Sequence, residues 1–332
     1  MLLELDADQR LWQETVRDAL AKHCPTELVR GVAERGVDTA PLWKSYVDQG
    51  WTELTDPENA VELAIVVEEL GRATDPTPYL ATMTQFAPLA ADRFDPRQSG
   101  AAVYNDVTAH RNDQGWVLSG TARHVLDGDR AQRLAVVTDG GVFLVDATSV
   151  MARRSEVFDP SLHVADVTFA GLRVPDSDRL GTDPESARHV ALTGMAMTIV
   201  GACQRILDLA LAHVQERHQF GVPIGSFQAV QHKAVEIHVA VERARALSYF
   251  AALTIAADDP RRRLAASMAK AAAGECQSVA FRHGIQMFGA MGFTWENDLQ
   301  FALKRAKAGE LMLGGAAEHR AQIAKEFHAT DV

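Results

Sequence analysis

The chain has 332 residues and the composition of an ordinary globular protein, with 47% hydrophobic and 23% charged residues, enough for about two or three compact units. Its formal net charge of −11 argues against a protein that binds nucleic acids or anionic membranes. The three cysteines are far apart, which supports neither a disulfide framework nor a zinc site. The sequence shows no signal pattern and no long uninterrupted apolar run, so we expect a cytoplasmic protein.

The first part of the chain predicts helices. Apolar residues recur with helical spacing in four segments, which are 8–22, 41–50, 59–70 and 81–91. Asp6 or Asp8 is a candidate N-cap for the first of them. These patterns predict an N-terminal helical domain over residues 1–95.

The hydrophobic period changes near residue 96. Short segments rich in β-branched and aromatic residues, bounded by turn residues, predict strands. These segments are 116–120, 133–138, 142–146 and 164–169. Asp139-Gly140-Gly141, between two of them, is a hairpin signal. The sequence therefore predicts a small β-barrel or sandwich domain over residues 96–180.

From Ser186 onward the pattern is helical again and long. Apolar stripes at alternating steps of three and four predict four helices, over 186–217, from 227 onward with a stripe that reaches Ala244, over 261–287 and over 297–313. Long amphipathic helices with short connections are typical of an antiparallel bundle. We therefore predict a C-terminal four-helix bundle over residues 185–332, and a mainly α fold class with a β domain in the middle.

The bend between the first two bundle helices carries an unusual set of side chains. Arg217, Phe220 and Gln228 lie there among helix-breaking glycines and a proline. An arginine, an aromatic ring and an amide on one bend could hold a planar phosphorylated ligand, with the guanidinium on a pyrophosphate and the ring on an apolar surface. The alternative is an ordinary bend with a core phenylalanine and an arginine that caps a helix. This stretch alone leaves both interpretations open.

A second cluster ends the third predicted bundle helix. Glycines at 289 and 292 would let a backbone approach a partner closely, and Gln286 offers an amide beside them. The alternative is a simple glycine C-cap. Other chemistry is not indicated, because the twelve histidines lack metal-ligand spacing and neither a dinucleotide-binding glycine motif, a Walker loop nor a nucleophile elbow occurs.

Taken together, these stretches resemble the flavin-binding motifs of the acyl-CoA dehydrogenases. The resemblance rests on Arg-x-x-Phe-Gly at 217–221, Phe-Gln at 227–228 and Gln-x-x-Gly-x-x-Gly-Phe-Thr-x-Glu at 286–296. The order of helices, strands and helices is similar to that fold over essentially the whole chain. Glu-Glu-Leu-Gly-Arg at 68–72 and Phe-x-x-Leu-Arg-Val-Pro at 169–175 are further matches.

The resemblance implies FAD bound at a subunit interface and α,β-dehydrogenation of an acyl-CoA thioester, with an electron-transfer flavoprotein as acceptor. In this family a glutamate removes the α-proton while the flavin takes the β-hydride. By similarity, a set of residues should contact the cofactor of a neighbouring subunit. The set is Arg217, Phe220, Gln228, Gln286, Gly289 and Ala290, the last replacing the second glycine of the family's usual pair.

The sequence departs from the family at the catalytic base. A base must lie within hydrogen-bond reach of the proton that it removes. The two positions at which family members carry it correspond here to Leu313 and Ala191, and neither side chain accepts a proton. Glu310, one helical turn before Leu313, is the nearest spare carboxylate, and we expect it to be a solvated helix residue.

The sequence also departs where family members hold their own flavin. The usual loop and strand motifs are replaced by the segments 101–108 and 122–126, and the stretch between Trp51 and Asn59 is short. A chain that keeps its contacts to a neighbour's cofactor and loses those of its own site resembles the smaller, base-lacking subunit of actinobacterial acyl-CoA dehydrogenases. Those enzymes are α2β2 heterotetramers that act on steroid side-chain CoA thioesters, so the resemblance implies a homologous catalytic partner.

Two alternatives remain open. The chain could be a self-sufficient homo-oligomeric dehydrogenase that uses an unconventional base such as Glu310. It could instead be a scaffold subunit that no longer binds FAD, although the retained motif residues argue against this.

Overall fold

A computed structural model describes residues 4–113 and 115–328 of the chain. The outermost residues of the predicted N-terminal and C-terminal domains, 1–3 and 329–332, lie outside these ranges. Within the described residues the α-helices are α1 (Ala7–His23), α2 (Thr26–Arg35), α3 (Ala40–Asp48), α4 (Ala60–Ala73), α5 (Tyr79–Ala81), α6 (Ala87–Ala90), α7 (Pro184–Glu216), α8 (Gln228–Ala256), α9 (Arg262–Phe288), α10 (Leu299–Leu311) and α11 (Ala316–Glu326).

The strands lie mainly in the middle of the chain, as the sequence predicts. In chain order they are β1 (Gly100–Val103), β2 (Val107–Asn112), β3 (Gly115–Leu126), β4 (Arg133–Thr138), β5 (Gly141–Asp146), β6 (Met151–Arg154), β7 (Val164–Val174), β8 (Arg179–Leu180), β9 (His218–Gln219) and β10 (Val222–Pro223). The predicted mainly α fold with a β middle is confirmed.

The described chain divides into two compact units, each built from separate stretches. One unit comprises the described residues of 1–31, 57–75 and 192–332, and the other comprises 32–56 and 76–191. The predicted three-domain boundaries follow the order of elements along the chain rather than this division, and they stay a prediction.

In the first unit, α1 starts where the sequence indicates. The Asp6 carboxylate accepts a hydrogen bond of 2.9 Å from the Gln9 backbone N–H, and the Gln9 side chain accepts one of 3.2 Å from the Asp6 N–H. This reciprocal capping box satisfies two of the N–H groups that a helix start leaves unpaired. The short helices α2 and α11 were not predicted; α2 begins directly after Pro25, and α11 directly after the Gly314-Gly315 pair.

The first unit also contains a close approach between α4 and α7. A Cβ atom on Gly201 would lie 1.9 Å from the Glu68 carbonyl oxygen, and one on Gly71 would lie 2.4 Å from that of Thr198. Only glycine allows two helix backbones to come this near. The contact fixes the buried face of α4, which carries Glu68 and Glu69, against the bundle.

Helix α7 is long and apolar enough to cross a membrane by length and composition alone. Its most apolar 18-residue window has a mean hydropathy of 1.5, and 83% of that window is buried inside the protein. Among the described residues this burial identifies α7 as a core helix.

The second unit is a two-sheet sandwich with helices on one side. In the described part of the chain, one sheet has the order β1-β4-β5-β8 and the other has the order β2-β3-β7-β6. Leu134 and Val136 of β4 point into a core that both sheets share, while Ala135 packs with Phe86 and Leu89 on the opposite face. A strand buried on both faces reads as a continuous apolar run, which is why Leu-Ala-Val-Val was easy to recognise.

The predicted hairpin at Asp139-Gly140 is confirmed, because Thr138 pairs with Gly141 across a two-residue loop. The predicted helix over 81–91 is interrupted. Residues Thr82–Phe86 form a π-helical turn, and Pro88 follows in α6. Proline has no N–H to donate, so the regular ladder of helix hydrogen bonds cannot continue through it.

Candidate functional site

The two sequence motifs meet at one end of the bundle. Helix α7 ends at Glu216 and α9 ends at Phe288, and the His213 ring stacks on the Phe288 ring with centroids 4.3 Å apart. Arg217 follows one turn after His213, and Gly289 directly follows Phe288. We call the residues 217–228 and 286–293 the bundle end.

The bend at 217–228 is a small hairpin whose tip is Phe220. Strands β9 and β10 pair antiparallel, which leaves Phe220 and Gly221 as a two-residue loop with φ of +54° and +79°. A bulky residue at positive φ is uncommon and costs free energy. The Phe220 ring is 92% exposed and meets the Phe227 ring edge-on, with centroids 6.1 Å apart. The alternative of an ordinary bend with a core phenylalanine is therefore wrong for Phe220.

The second motif is equally open. Gln286, Gly289 and Ala290 are exposed, and Gly289 has φ of +61° with no atom within 4 Å of the place where a Cβ would lie. A short 3-10 turn follows and leaves Phe293 77% exposed. The backbone here is accessible to a partner molecule.

These features fit the edge of a dinucleotide cofactor. Arg217 and Gln228 are exposed at the hairpin, so a guanidinium, two amides, an aromatic ring and open backbone lie on one end of the unit. Such groups can hold a pyrophosphate and an apolar ring system. FAD, when bound, would supply the hydride acceptor of a dehydrogenation. The assignment of the six residues to FAD stays a prediction.

The two base positions hold side chains without proton chemistry. Ala191 in α7 is completely buried. Leu313 lies in the turn between α10 and α11 with φ of +58°, and its carbonyl accepts a hydrogen bond of 3.0 Å from His319 Nε2. Neither residue can remove a proton from a substrate.

Glu310 is held more tightly than the sequence suggested. Its carboxylate accepts hydrogen bonds from Lys307 Nζ at 2.8 Å and from the Ala316 N–H at 3.4 Å, and the side chain is only 16% exposed. Partial burial opposes ionisation, but the hydrogen bond and charge of Lys307 outweigh it, so the pKa of Glu310 lies below its ordinary value. The expectation of a solvated residue is wrong, and the pairing makes Glu310 a poor base.

A buried lysine, which the sequence analysis missed, holds the turn that carries Leu313. Lys270 of α9 is completely buried and donates to the carbonyls of Glu310 at 3.0 Å and Gly314 at 2.6 Å. Burial lowers the pKa of Lys270 to about 8, although the charges of Glu310 and Glu318 act in the opposite direction. A lone lysine within the alanine-rich stretch of α9 was the available signal.

Two buried carboxylates on α4 belong to a network of ion pairs and hydrogen bonds that was not predicted from the sequence. Glu68 accepts hydrogen bonds from Arg245 Nε at 2.8 Å and Tyr249 Oη at 2.9 Å. Glu69 accepts two from Arg17, at 3.0 and 2.6 Å. Burial and then the charge of Glu68 raise the pKa of Tyr249 well above its ordinary value. Each carboxylate is neutralised, so the network joins helices rather than presenting a base.

In the second unit, the segment 122–126 is irregular. Strand β3 changes register between Ala122 and Val125, where it pairs with β7, and His124 has φ of +58°. Arg123 and His124 are exposed at this bulge. The described residues contain no group of three or more His, Cys, Asp or Glu side chains that could hold a metal ion.

Comparison with known proteins agrees with this geometry. Residues 189–328 match the family model of the acyl-CoA dehydrogenase C-terminal domain. The chain is 32% identical over 322 residues to acyl-CoA dehydrogenase IpdE2 of Mycobacterium tuberculosis, covering 94% of each chain. Fold and motifs thus define a flavin-dependent dehydrogenase class. The chain belongs to the acyl-CoA dehydrogenase family.

Solved structures show the same fold at lower identity. A chain of the ChsE4-ChsE5 complex from Mycobacterium tuberculosis is similar with a TM-score of 0.89 and 22% identity, over 99% of both chains. A chain of the Tcur3481-Tcur3483 steroid ACAD variant is similar with a TM-score of 0.83 and 23% identity, over 98% of both chains.

Proposed function

We propose that this chain is the non-catalytic subunit of a heteromeric acyl-CoA dehydrogenase. In this proposal a homologous catalytic subunit holds FAD and supplies the base, and the present chain contributes the bundle end to that cofactor. The observation that carries the proposal is the 92% exposed Phe220, together with the open backbone at Gly289, in a chain with Leu313 and Ala191 at the base positions.

The exposure of Phe220 supports a contact outside this chain. Burying a phenylalanine side chain is worth about 1.5–3 kcal/mol, and here that free energy is not used within the unit. The positive φ adds a backbone cost, and strained residues of this kind concentrate at ligand-binding sites. A binding surface explains both the strain and the exposure.

Each residue of the bundle end has a distinct part in the proposal. Arg217 would neutralise the pyrophosphate charge, and Phe220 would cover an apolar face of the cofactor. Gln228 and Gln286 would satisfy polar groups of the cofactor, while Gly289 and Ala290 would allow close backbone approach. Leu313 and Ala191, at the two base positions, cannot accept the α-proton, so in this proposal the partner removes it.

The substrate in this proposal is an acyl-CoA thioester with a steroid-derived acyl group. Support comes from the structural neighbour that is itself described as a steroid ACAD, and from the neighbour described as a complex of two different chains. An electron-transfer flavoprotein would reoxidise the flavin, as family membership implies.

Expression of the chain alone and together with a homologous catalytic subunit tests the proposal. We expect the lone chain to retain no FAD and to have no dehydrogenase activity, and the co-purified complex to contain flavin and turn over substrate. Activity of the lone chain would contradict the proposal and point to Glu310 as a base. If the complex is stable and active although this chain makes no contact with the flavin, the chain is a scaffold subunit instead.

A further inference from the structure

The first unit also contains a cavity that is separate from the bundle end. It has a volume of about 410 Å³ and lies among α1, α2, α4, α7 and α10. This volume is within the range of small-molecule sites, which is about 300–1,000 Å³. None of the six residues assigned to FAD lines it. We call it the Arg205 cavity.

One wall of the Arg205 cavity is cationic. Arg17 and Arg72 line it, and both are paired, Arg17 with Glu69 at 2.6 Å and Arg72 with Asp208 at 2.7 Å. Arg205 also lines the cavity and is half-buried. Among the described residues it has no hydrogen bond or ion pair, so its guanidinium keeps its donors free.

The apolar part of the lining is held in place. Leu20, Cys24 and Phe301 are each at most 4% exposed and lie behind it, while the exposed residues Ala21 and Pro25 give the apolar surface that a ligand can reach. The Arg30 guanidinium lies over the Phe301 ring at 5.1 Å and pairs with Asp298 at 2.7 Å, which ties α2 to the start of α10. The cavity is therefore formed before any ligand arrives, and preorganisation lowers the cost of binding.

The charges of the lining select the ligand. Glu69 and Asp298 line the cavity but each is paired with an arginine, and Glu27 is exposed at the rim. Arg205 thus leaves one positive charge without a counterpart inside. A single negative charge would balance it, whereas a phosphate dianion would leave one negative charge without a counterpart in the cavity.

We propose that the Arg205 cavity binds a small monocarboxylate with a short hydrocarbon body. The carboxylate accepts hydrogen bonds from the Arg205 guanidinium, and the hydrocarbon lies against Ala21 and Pro25. Planar guanidinium groups match carboxylates with two parallel hydrogen bonds, and the apolar wall adds affinity in proportion to the area that it covers.

Calorimetric titration of the purified protein, together with its partner subunit, with octanoate and with octanamide tests this inference. We expect saturable binding of octanoate and at least about tenfold weaker binding of the uncharged octanamide, because hydrogen bonds to charged groups contribute about 1.5–3 kcal/mol. Arg205→Met should weaken octanoate binding by about the same factor. Ala21→Phe, an exposed position on the lining, should narrow the entrance and also weaken binding.

Arg10→Met is the matched control, since it removes an exposed arginine of α1 that does not line the cavity, and it should leave affinity unchanged. The inference would be overturned if the wild-type protein showed no saturable octanoate binding. It would also be overturned if R205M bound octanoate as tightly as wild type, because octanoate would then occupy another site. Neither result would bear on whether the chain contacts FAD.

Discussion

Truncation of Phe220 separates a role in folding from a role in binding. The ring is 92% exposed, so Phe220→Ala should change the stability of the isolated chain by no more than about 0.5 kcal/mol. In the complex the ring is proposed to bury most of its surface against the cofactor, which is worth about 1.5–3 kcal/mol. We therefore expect the FAD dissociation constant of the complex to rise by about 10–150-fold, measured by flavin fluorescence on dilution.

Thermal unfolding of the isolated chain provides the companion measurement. Phe327→Ala, which truncates another exposed phenylalanine of the same unit outside the bundle end, is the control and should leave FAD affinity unchanged. The reasoning would be refuted if F220A left FAD affinity as it is in wild type. A large loss of stability in the isolated variant would equally refute it, because the ring would then belong to the fold.

Three further predictions concern Glu310, Lys270 and Gly201. Glu310→Gln in the assembled enzyme should keep turnover within about tenfold of wild type, since removal of a true base costs about 10²–10⁴-fold; a collapse of turnover would identify Glu310 as the base. The pKa of Lys270 falls from 10.5 to about 8 on folding, so the unfolded chain binds more protons between these pH values. In denaturant titrations, the free energy of unfolding should therefore rise between pH 8 and pH 10.5 by about 3 kcal/mol more for wild type than for Lys270→Met. A difference between the two proteins that does not change with pH would contradict this. Gly201→Ala would place a Cβ atom 1.9 Å from the Glu68 carbonyl oxygen and should destabilise the protein by about 1–3 kcal/mol or more. The control Gly181→Ala, whose Cβ atom would have nothing within 4 Å, should be neutral. Equal melting temperatures for the two variants would show that α4 and α7 can separate freely.

Periodic elements were predictable because their signal is local. The stripe that predicts α1 and the turn residues at Asp139-Gly140 depend on neighbours along the chain, and the structure confirms both. Helix α2 was missed although Pro25 and Glu27 mark its start, and β1 was missed because Gly-Ala-Ala-Val is short and buried on both faces, so it shows no alternation.

The environment of single charged residues could not be predicted in the same way. Glu68 was visible as part of a motif, but its partners Arg245 and Tyr249 lie 177 and 181 residues away. Lys270 was not singled out in the sequence, and its partners, the carbonyls of Glu310 and Gly314, lie 40 and 44 residues away. Glu310 differs, because its partners Lys307 and Ala316 lie only three and six residues away, and what was not predicted is the turn that brings the Ala316 N–H back to its carboxylate. Long-range partners decide burial, and a single sequence does not show them.

The flavin content of the purified complex shows whether this chain holds a cofactor of its own or contributes to that of a partner. The complex of this chain with a homologous catalytic subunit would be weighed by native mass spectrometry, and its flavin counted by absorbance after release. We expect one FAD for each pair of unlike subunits, and we expect this chain to carry no flavin once the unlike subunits are separated. Two FAD per pair, or a self-associated form of this chain that keeps its own flavin, would contradict it.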